Sequence, residues 1–281
     1  MPKSSEMING DVVVLEAGRA HKHYWRDVIR YGDLFFMLAR RDVAVRYKQT
    51  LFGILWAVLR PVLTMLVFTF VFGRIAKLPS EGVPYALLVF SGMVPWFFFS
   101  SSVSESSGSL IANSNLLSKV YFPRILVPAS AVLVAAVDFL IGMALLVLTM
   151  AYFGIWPTWR VFAIPIFLMV AFFAALGIGL WFSSLNVRYR DFQFVVPFLL
   201  QFGLYLSPVG FSSSVVPERW ALIYALNPMV GVIEGFRWAI LGEAFSLRWE
   251  VQLISVSLSV VLLASGIAFF RRFERGMADV I

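Results

Sequence analysis

The chain has 281 residues, of which 60% are hydrophobic and only 14% are charged. A soluble domain carries about 25% charged residues, because a folded globule needs them to cover its surface. A soluble fold of this composition would expose apolar patches above the few hundred Å² that a soluble monomer tolerates. The composition therefore excludes a disordered chain, a nucleic-acid module and an ordinary cytosolic enzyme, and it favours a polytopic membrane protein.

The net charge of +7 does not form one basic surface, because many basic residues flank apolar segments. We therefore expect no nucleic-acid partner. Cysteine is absent, which excludes a disulfide framework and thiol chemistry. The first 20 residues hold Glu6, Asp11 and Glu16 and no apolar stretch, so we expect no cleavable signal peptide.

An interface helix is predicted ahead of the first apolar segment. Residues 1–26 are expected to be a cytoplasmic extension, and residues 27–53 a basic amphipathic helix lying at the membrane surface. Arg40 interrupts its apolar side, and a soluble cytoplasmic helix is the alternative. The apolar stripe at helical spacing consists of Phe36, Val43, Tyr47 and Leu51.

Six segments are long and apolar enough to cross a bilayer core, which takes about 20 residues. The fold class is thus predicted to be all-α, with a six-helix membrane domain over residues 54–270 and a cytoplasmic tail over 271–281. Sixteen basic residues lie on one side of these segments and six on the other, which places both termini in the cytoplasm. The spans are 54–76, 84–103, 125–153, 161–185, 192–211 and 251–270.

A cytoplasmic segment, residues 113–124, is predicted to carry a short amphipathic helix that could dock a soluble partner. Asn113 is a suitable N-cap and Pro123 a stop. A loop lying on lipid is the alternative. The serine-rich run before it is expected to end the second span and then form a flexible turn. The short apolar face consists of Leu116, Leu117, Val120 and Tyr121.

The outer segment, residues 212–250, is too apolar for a solvated loop and too interrupted to span. We predict two short helices that dip into the outer leaflet, over about 218–226 and 228–241. Asn227 should cap the second helix and Gly242 should end it. Glu234 and Arg237 are three residues apart and could pair.

Catalytic chemistry has little support in the sequence. No GxxxxGK[ST] loop occurs, so an ATP-driven activity would need a separate ATPase, and we expect no catalytic, cofactor or metal site in the chain. Arg60 and Asp138 lie inside predicted spans, where charges are costly, and they could pair, with Glu105 as another partner for Arg60. A helix–helix tether is the alternative to a transport role.

Aromatic residues are concentrated in the second and fifth spans. Flat, rigid rings can contact the C–H faces of sugars without strong hydrogen bonds, which suits a sliding polymer. Ordinary membrane packing is the alternative. The candidates are Trp96, Phe97, Phe98 and Phe99 in the second span, with Phe202 and Tyr205 in the fifth.

Several motifs together resemble the polysaccharide-exporting ABC-2-type permeases, above all those for O-antigen and related lipopolysaccharides. Capsule and teichoic-acid permeases are similar. The resemblance covers about residues 25–270, in the family's order. The motifs are residues 45–56 followed by Arg60-Pro61, Met93-Val94-Pro95-Trp96, residues 115–124, Leu206-Ser207-Pro208-Val209, Asn227-Pro228-Met229 and Glu234-Gly235-Phe236-Arg237.

The resemblance implies a homodimer with two copies of a separate ABC ATPase, which would hold ATP and Mg. It implies export of a polyprenyl-diphosphate-linked polysaccharide across the bacterial cytoplasmic membrane. The ATPase-coupling residues would be Asn113, Leu116, Leu117, Lys119, Val120, Tyr121 and Arg124. Arg40, Arg41, Arg46, Tyr47 and Lys48 would frame the place where the lipid diphosphate enters, since guanidinium groups match phosphate geometry. The aromatic candidates would line the channel. The outer gate would comprise Pro208, Phe211, Trp220, Asn227, Pro228, Glu234 and Arg237.

Three other functions stay open at the level of the sequence. An ABC-2 exporter of small amphiphiles would have a closed site between helices. An ion-coupled carrier would centre on Asp138, although one midplane carboxylate is thin support for it. A membrane scaffold without transport activity is the third.

Overall fold

The computed structural model describes residues 24–48, 53–274 and 276, and every regular element within them is helical. This agrees with the predicted all-α class. Most of the predicted N-terminal extension and most of the C-terminal tail lie outside the described residues, as do Leu51 of the apolar stripe and the side chain of Lys48.

Eleven α-helices lie in the described part of the chain, together with a π-helical segment at Thr69–Ile75 and 3₁₀ turns at Trp159–Ala163, Ser213–Val215 and Gly242–Ala244. The α-helices are α1 (Tyr24–Arg30), α2 (Gly32–Lys48), α3 (Gly53–Phe68), α4 (Tyr85–Ala112), α5 (Ser114–Leu117), α6 (Leu126–Tyr152), α7 (Ile164–Arg188), α8 (Phe192–Leu206), α9 (Glu218–Tyr224), α10 (Pro228–Leu241) and α11 (Trp249–Glu274).

Five helical segments of the described chain are long and apolar enough to cross a membrane: Leu55–Ile75, Tyr85–Ala112, Leu126–Tyr152, Trp159–Arg188 and Trp249–Glu274. The predicted fifth span, 192–211, contains the 15-residue helix α8. At 1.5 Å per residue this helix is about 22 Å long, against a bilayer core of about 30 Å. It ends because Ser207, which precedes Pro208, adopts an extended backbone.

Helix α4 continues to Ala112, so the expected flexible turn in the serine-rich run is wrong. Two of these serines satisfy their hydroxyls within the helix by donating to carbonyls one turn earlier, Ser107 to Ser104 and Ser109 to Ser106. Their small side chains also let α4 pack closely against α7. The run is therefore part of a buried helix interface.

Helices α7 and α11 cross at two glycines. A Cβ atom on Gly177 would overlap the carbonyl carbon of Leu262, and one on Gly266 would overlap the carbonyl oxygen of Gly177. Both contacts are shorter than real Cβ contacts, so the two backbones approach as closely as they do only because side chains are missing there.

The predicted interface helix is split into α1 and α2, with Tyr31 between them. Its predicted apolar stripe does not face one environment, because Phe36 is 66% exposed whereas Val43 and Tyr47 are half-buried, and the buried Leu38 lies outside the stripe. Leu38 packs into a cluster with Leu117 and Phe270. Packing against the ends of other helices, rather than amphipathic periodicity alone, sets the orientation of α2.

Both predicted outer helices are present, as α9 and α10. The Asn227 side chain accepts a hydrogen bond from the backbone N–H of Met229 at 3.0 Å, which confirms the cap. Gly242 follows the last residue of α10 with a φ of +69°, a conformation that favours glycine. Helix α10 packs against α4, α7 and α11.

We expect Gly177→Ala to destabilise the protein by about 1–3 kcal/mol, since the added methyl group forces α7 and α11 apart. The measurement is the melting temperature of the detergent-purified protein. Gly108→Ala is the control, because nothing lies within 4 Å of its Cβ position on α4. Equal melting temperatures for the two variants would contradict the close crossing.

Candidate functional site

A cluster of charged side chains ties α2 to the membrane helices α4 and α6. The Arg46 Nη2 atom lies 2.7 Å from Oδ2 of Asp138 on α6. Its Nη1 atom donates to Oε1 of Glu105 on α4 at 3.1 Å. The Tyr47 hydroxyl donates to the other carboxylate oxygen of Asp138. The charge inside the predicted third span thus has its partners on the helix that precedes the first span.

The cluster is only partly covered by the rest of the chain, with 21% of the Asp138 side chain and 35% of the Arg46 side chain exposed. Because the pair is not fully enclosed by the chain, another charged group can reach it. Burial, and after it the hydrogen bond to Asp138, raises the pKa of Tyr47 to about 12. Tyr47 therefore remains a protonated donor at neutral pH.

A cavity of about 300 Å³, which we name the charged cavity, opens beside this cluster between α2, α3, α4 and α6. One part of its wall carries Arg46, Tyr47 and Asp138, and another carries aromatic rings, including Phe97 and Phe98. The wall can therefore offer charged hydrogen-bonding groups and flat apolar faces to the same ligand.

Arg60 has a different environment from the one expected. It lines the charged cavity, but its guanidinium carbon lies 5.8 Å from the ring centroid of Phe97. No ion pair with Asp138 or Glu105 forms, because Arg46 takes both carboxylates. The Arg60 charge thus faces the Phe97 ring, whose quadrupole attracts a cation.

The other predicted channel aromatics occupy two further places. Trp96 and Phe99 are buried and line a second cavity of about 680 Å³ between α4, α7, α8 and α9, whose wall also includes Trp220. Phe202 and Tyr205 are 54% and 56% exposed on the outer face of α8. The six rings do not form a single surface within one chain.

Arg237 on α10 is fully buried and joins three segments. It donates to the carbonyls of Leu88 on α4 at 3.1 Å, Val209 at 3.1 Å and Phe211 at 2.9 Å. The expected ion pair with Glu234 does not form, because the guanidinium points towards these carbonyls. Arg237 thereby holds the turns that follow α8, residues 207–211, against α4.

The remaining outer residues surround this contact. Pro208 and Pro228 are buried, and the Asn227 side chain donates to the Ser207 hydroxyl at 2.8 Å. Trp220 is half exposed on α9. The predicted outer-gate residues therefore lie in one region at the end of α8, although Arg237 acts there as a packing and hydrogen-bonding group.

The family model for the ABC-2 type transporter matches residues 33–241 of the chain. The chain belongs to this family. The matched range includes the interface helix, the charged cavity and α10, so the geometry described above lies within the membrane domain of an ABC-2 transporter.

Curated relatives of this ABC-2 membrane protein match over nearly their whole lengths. The O-antigen export system permease protein RfbA of Myxococcus xanthus is 32% identical, covering 91% of this chain and 98% of its own. A Klebsiella pneumoniae protein of the same name is 28% identical, covering 89% and 95%. The polysialic acid transport protein KpsM of Escherichia coli is 27% identical, covering 84% and 92%.

The predicted coupling segment of this ABC-2 protein is less regular than expected. Its helix, α5, is a single turn, and the four predicted apolar residues divide between two environments. Leu117 is 6% exposed and packs into the interior, while Val120 and Tyr121 are about half exposed. Burial, followed by nearby negative charge, raises the pKa of Tyr121. The one-turn helix cannot place all four residues on one open face.

Two contacts fix the ends of this segment. The Arg41 Nη2 atom donates to Oδ1 of Asn113 at 2.6 Å, which joins α2 to the start of the segment. The backbone N–H of Arg124 donates to Oε1 of Glu274 at 2.9 Å, which joins its end to α11. Lys119 and Arg40 are exposed.

The amino-acid sequence does not single out Glu274 as a site residue, and it suggests Glu105 only as a partner for Arg60. Both are lone acids at the polar ends of apolar helices, where an acid usually has no more than a solubilising role. They are recognised as functional candidates only because they contact α2 or the coupling segment in the folded chain. Spacing along the sequence does not predict those contacts.

We expect Arg237→Met to destabilise the protein by about 3 kcal/mol, because the carbonyls of Val209 and Phe211 lose their side-chain donor and the contact between α10 and α4 loses its hydrogen bond to Leu88. Arg219→Met is the matched control on the exposed surface of α9 and should change stability by less than about 0.5 kcal/mol. Thermal unfolding of the purified variants gives the comparison. A wild-type melting temperature for Arg237→Met would contradict the role of these hydrogen bonds.

Proposed function

We propose that the chain is the permease subunit of an ABC exporter that moves a lipid-linked polysaccharide outward across the bacterial cytoplasmic membrane. The polymer we favour is O-antigen. The observation that carries the proposal is the charged cavity, where Arg46 and Arg60 share a wall with the aromatic rings of α4. Guanidinium groups suit a diphosphate, and flat rings suit the faces of sugars.

The names of the relatives support a long polymer rather than a small amphiphile, since both O-antigen and polysialic acid are polysaccharides. An O-antigen permease matches over more of this chain than KpsM does. An ion-coupled carrier is less well supported, because its candidate carboxylate on Asp138 already pairs with Arg46. A capsule or teichoic-acid polymer remains the alternative substrate.

The working exporter in this proposal is a homodimer, with the polymer passing between two copies of the chain. The apolar side chains that α3 and α8 leave exposed support a dimer. They include Leu66 and Phe70, on and just after α3, and Phe198 and Phe202 on α8. Residues 192–211 serve as the sixth crossing, with α8 and the segment after it together spanning the bilayer. The bias in basic residues supports two cytoplasmic termini.

ATP hydrolysis in this proposal takes place on two copies of a separate ABC ATPase, which carry ATP and Mg. Their docking surface is the exposed part of the coupling segment, with Val120 and Tyr121 as apolar contacts and Lys119 beside them. Arg40, Arg41 and Lys48 lie on the same interface helix as Arg46 and guide the lipid diphosphate towards the charged cavity.

The outer helices α9 and α10 form the outer gate, dipping into the outer leaflet without crossing it. The support is their shortness, the Asn227 cap of α10 and the burial of α10 among α4, α7 and α11. Trp220 on α9 and the segment held by Arg237 border the polymer as it leaves.

Loss of one aromatic ring from the wall of the charged cavity should slow polymer export. In a strain that lacks the chain, we expect Phe97→Ala to restore surface polysaccharide at a rate about three- to tenfold below wild type, as for the loss of about 1 kcal/mol of aromatic contact. Phe162→Ala is the control, since Phe162 is 83% exposed far from the cavity. If the wild-type chain with its ATPase restores no polymer, the proposed function is wrong.

The residues of the coupling segment that dock the ATPase should be different from those that stabilise the permease fold. We expect the double variant Val120→Ala/Tyr121→Ala to lose co-purification of the ATPase while the permease keeps its melting temperature, because both side chains are exposed. Leu117→Ala should instead lower the melting temperature, because Leu117 is buried. Retention of the ATPase by the double variant would remove this surface from the interface.

A further inference from the structure

Arg46 is held by two carboxylates that belong to two different membrane helices. Asp138 on α6 approaches one guanidinium nitrogen to 2.7 Å, and Glu105 on α4 approaches another to 3.1 Å. Neither ion pair is fully enclosed by the chain, since 21% of the Asp138 side chain and 49% of the Glu105 side chain are exposed. Both ion pairs can therefore be replaced by another anion that reaches the same nitrogens.

The charged cavity gives such an anion access to Arg46. Arg60 lines the same cavity of about 300 Å³ and forms no ion pair among the described residues. A ligand in the cavity thus meets one guanidinium already paired with carboxylates and one that is not. Carboxylate and phosphate oxygens accept hydrogen bonds from a guanidinium fork in similar geometry, so a diphosphate can take the place of the carboxylates.

We propose that Asp138 and Glu105 hold Arg46 until the substrate arrives, and that its diphosphate then displaces them and frees α2 from α4 and α6. The inference rests on the proposed function, because the diphosphate is that of the lipid-linked polymer. Arg60 supplies a second positive charge to the incoming group. The carboxylates lower the affinity for the diphosphate, and in return binding changes the conformation of α2.

The coupling segment lies within reach of this change. Arg41, about one turn before Arg46 on α2, donates to Asn113 at the start of that segment. If the end of α2 is released from Asp138, the contact at Asn113 is strained or broken. Substrate binding would then alter the surface that faces the ATPase, and the two carboxylates would prevent hydrolysis without substrate.

The test uses the full permease–ATPase complex in lipid nanodiscs. The probe is farnesyl diphosphate, and farnesol, which has the same chain without phosphates, measures the contribution of the lipid. Asp138→Asn removes the competing charge and keeps the acceptor for Tyr47, so we expect it to raise the affinity for farnesyl diphosphate about fivefold. Glu105→Gln, on the more exposed carboxylate, should raise it about twofold. Both variants should also raise ATP hydrolysis in the absence of the probe.

Two comparisons distinguish displacement of the carboxylates by the diphosphate from a purely structural role of Asp138. Asp33→Asn is the matched control, an exposed carboxylate at the start of α2, and it should leave the affinity unchanged. Arg46→Gln should lower the affinity, and the double variant Arg46→Gln/Asp138→Asn should show no gain over it. A merely structural Asp138 would instead lose affinity when changed to Asn.

The inference is overturned if Asp138→Asn binds farnesyl diphosphate no better than wild type, or if the gain persists without Arg46. It is also overturned if wild type binds farnesyl diphosphate no better than farnesol, even when polymer export in cells is intact. Failure of the wild-type chain to export any polymer, with the affinity changes as expected, would instead count against the proposed function alone.

Discussion

Helix α4 is buried along 78% of its most apolar stretch, whereas the other four candidate spans are buried along 11–39% of theirs. In a membrane there is no hydrophobic force between apolar helices, so close packing and polar contacts must hold them together. The serines of α4 meet this need against α7, and its aromatic rings fill the space next to α6. Because the helix is fixed, the groups that depend on it occupy defined positions.

Two arginines show how the fold compensates a positive charge near the membrane. Arg237 is enclosed by backbone carbonyls of α4 and of the segment after α8, and removing its hydrogen bonds would leave the Val209 and Phe211 oxygens without their side-chain donor. Arg46 is paired with two carboxylates that stay partly exposed. The buried hydrogen bonds of Arg237 suit a structural role, because they hold three parts of the chain together. Arg46 can exchange its partner, as a ligand site must.

The two cavities also differ in chemistry. The larger one is apolar and lies behind α8, a helix that buries few of its own side chains. A Cβ atom on Gly203 of α8 would lie 2.8 Å from the Trp96 ring, so α8 already contacts α4 as closely as it can at that point. The smaller cavity combines charge with aromatic faces. Only the smaller one therefore has groups that can recognise a charged, sugar-bearing ligand.

The helical class, five of the spans, the outer helices with their Asn227 cap and Gly242 end, and the family resemblance can all be predicted from the amino-acid sequence. These follow from local quantities, namely apolar length, cap chemistry and short motifs. Three features follow only from how the helices pack: Asp138 pairs with Arg46, Arg60 faces Phe97, and Leu117 is buried while Tyr121 is exposed. Each of these depends on which helix faces which across the bundle, and no spacing along one helix encodes the distance to another.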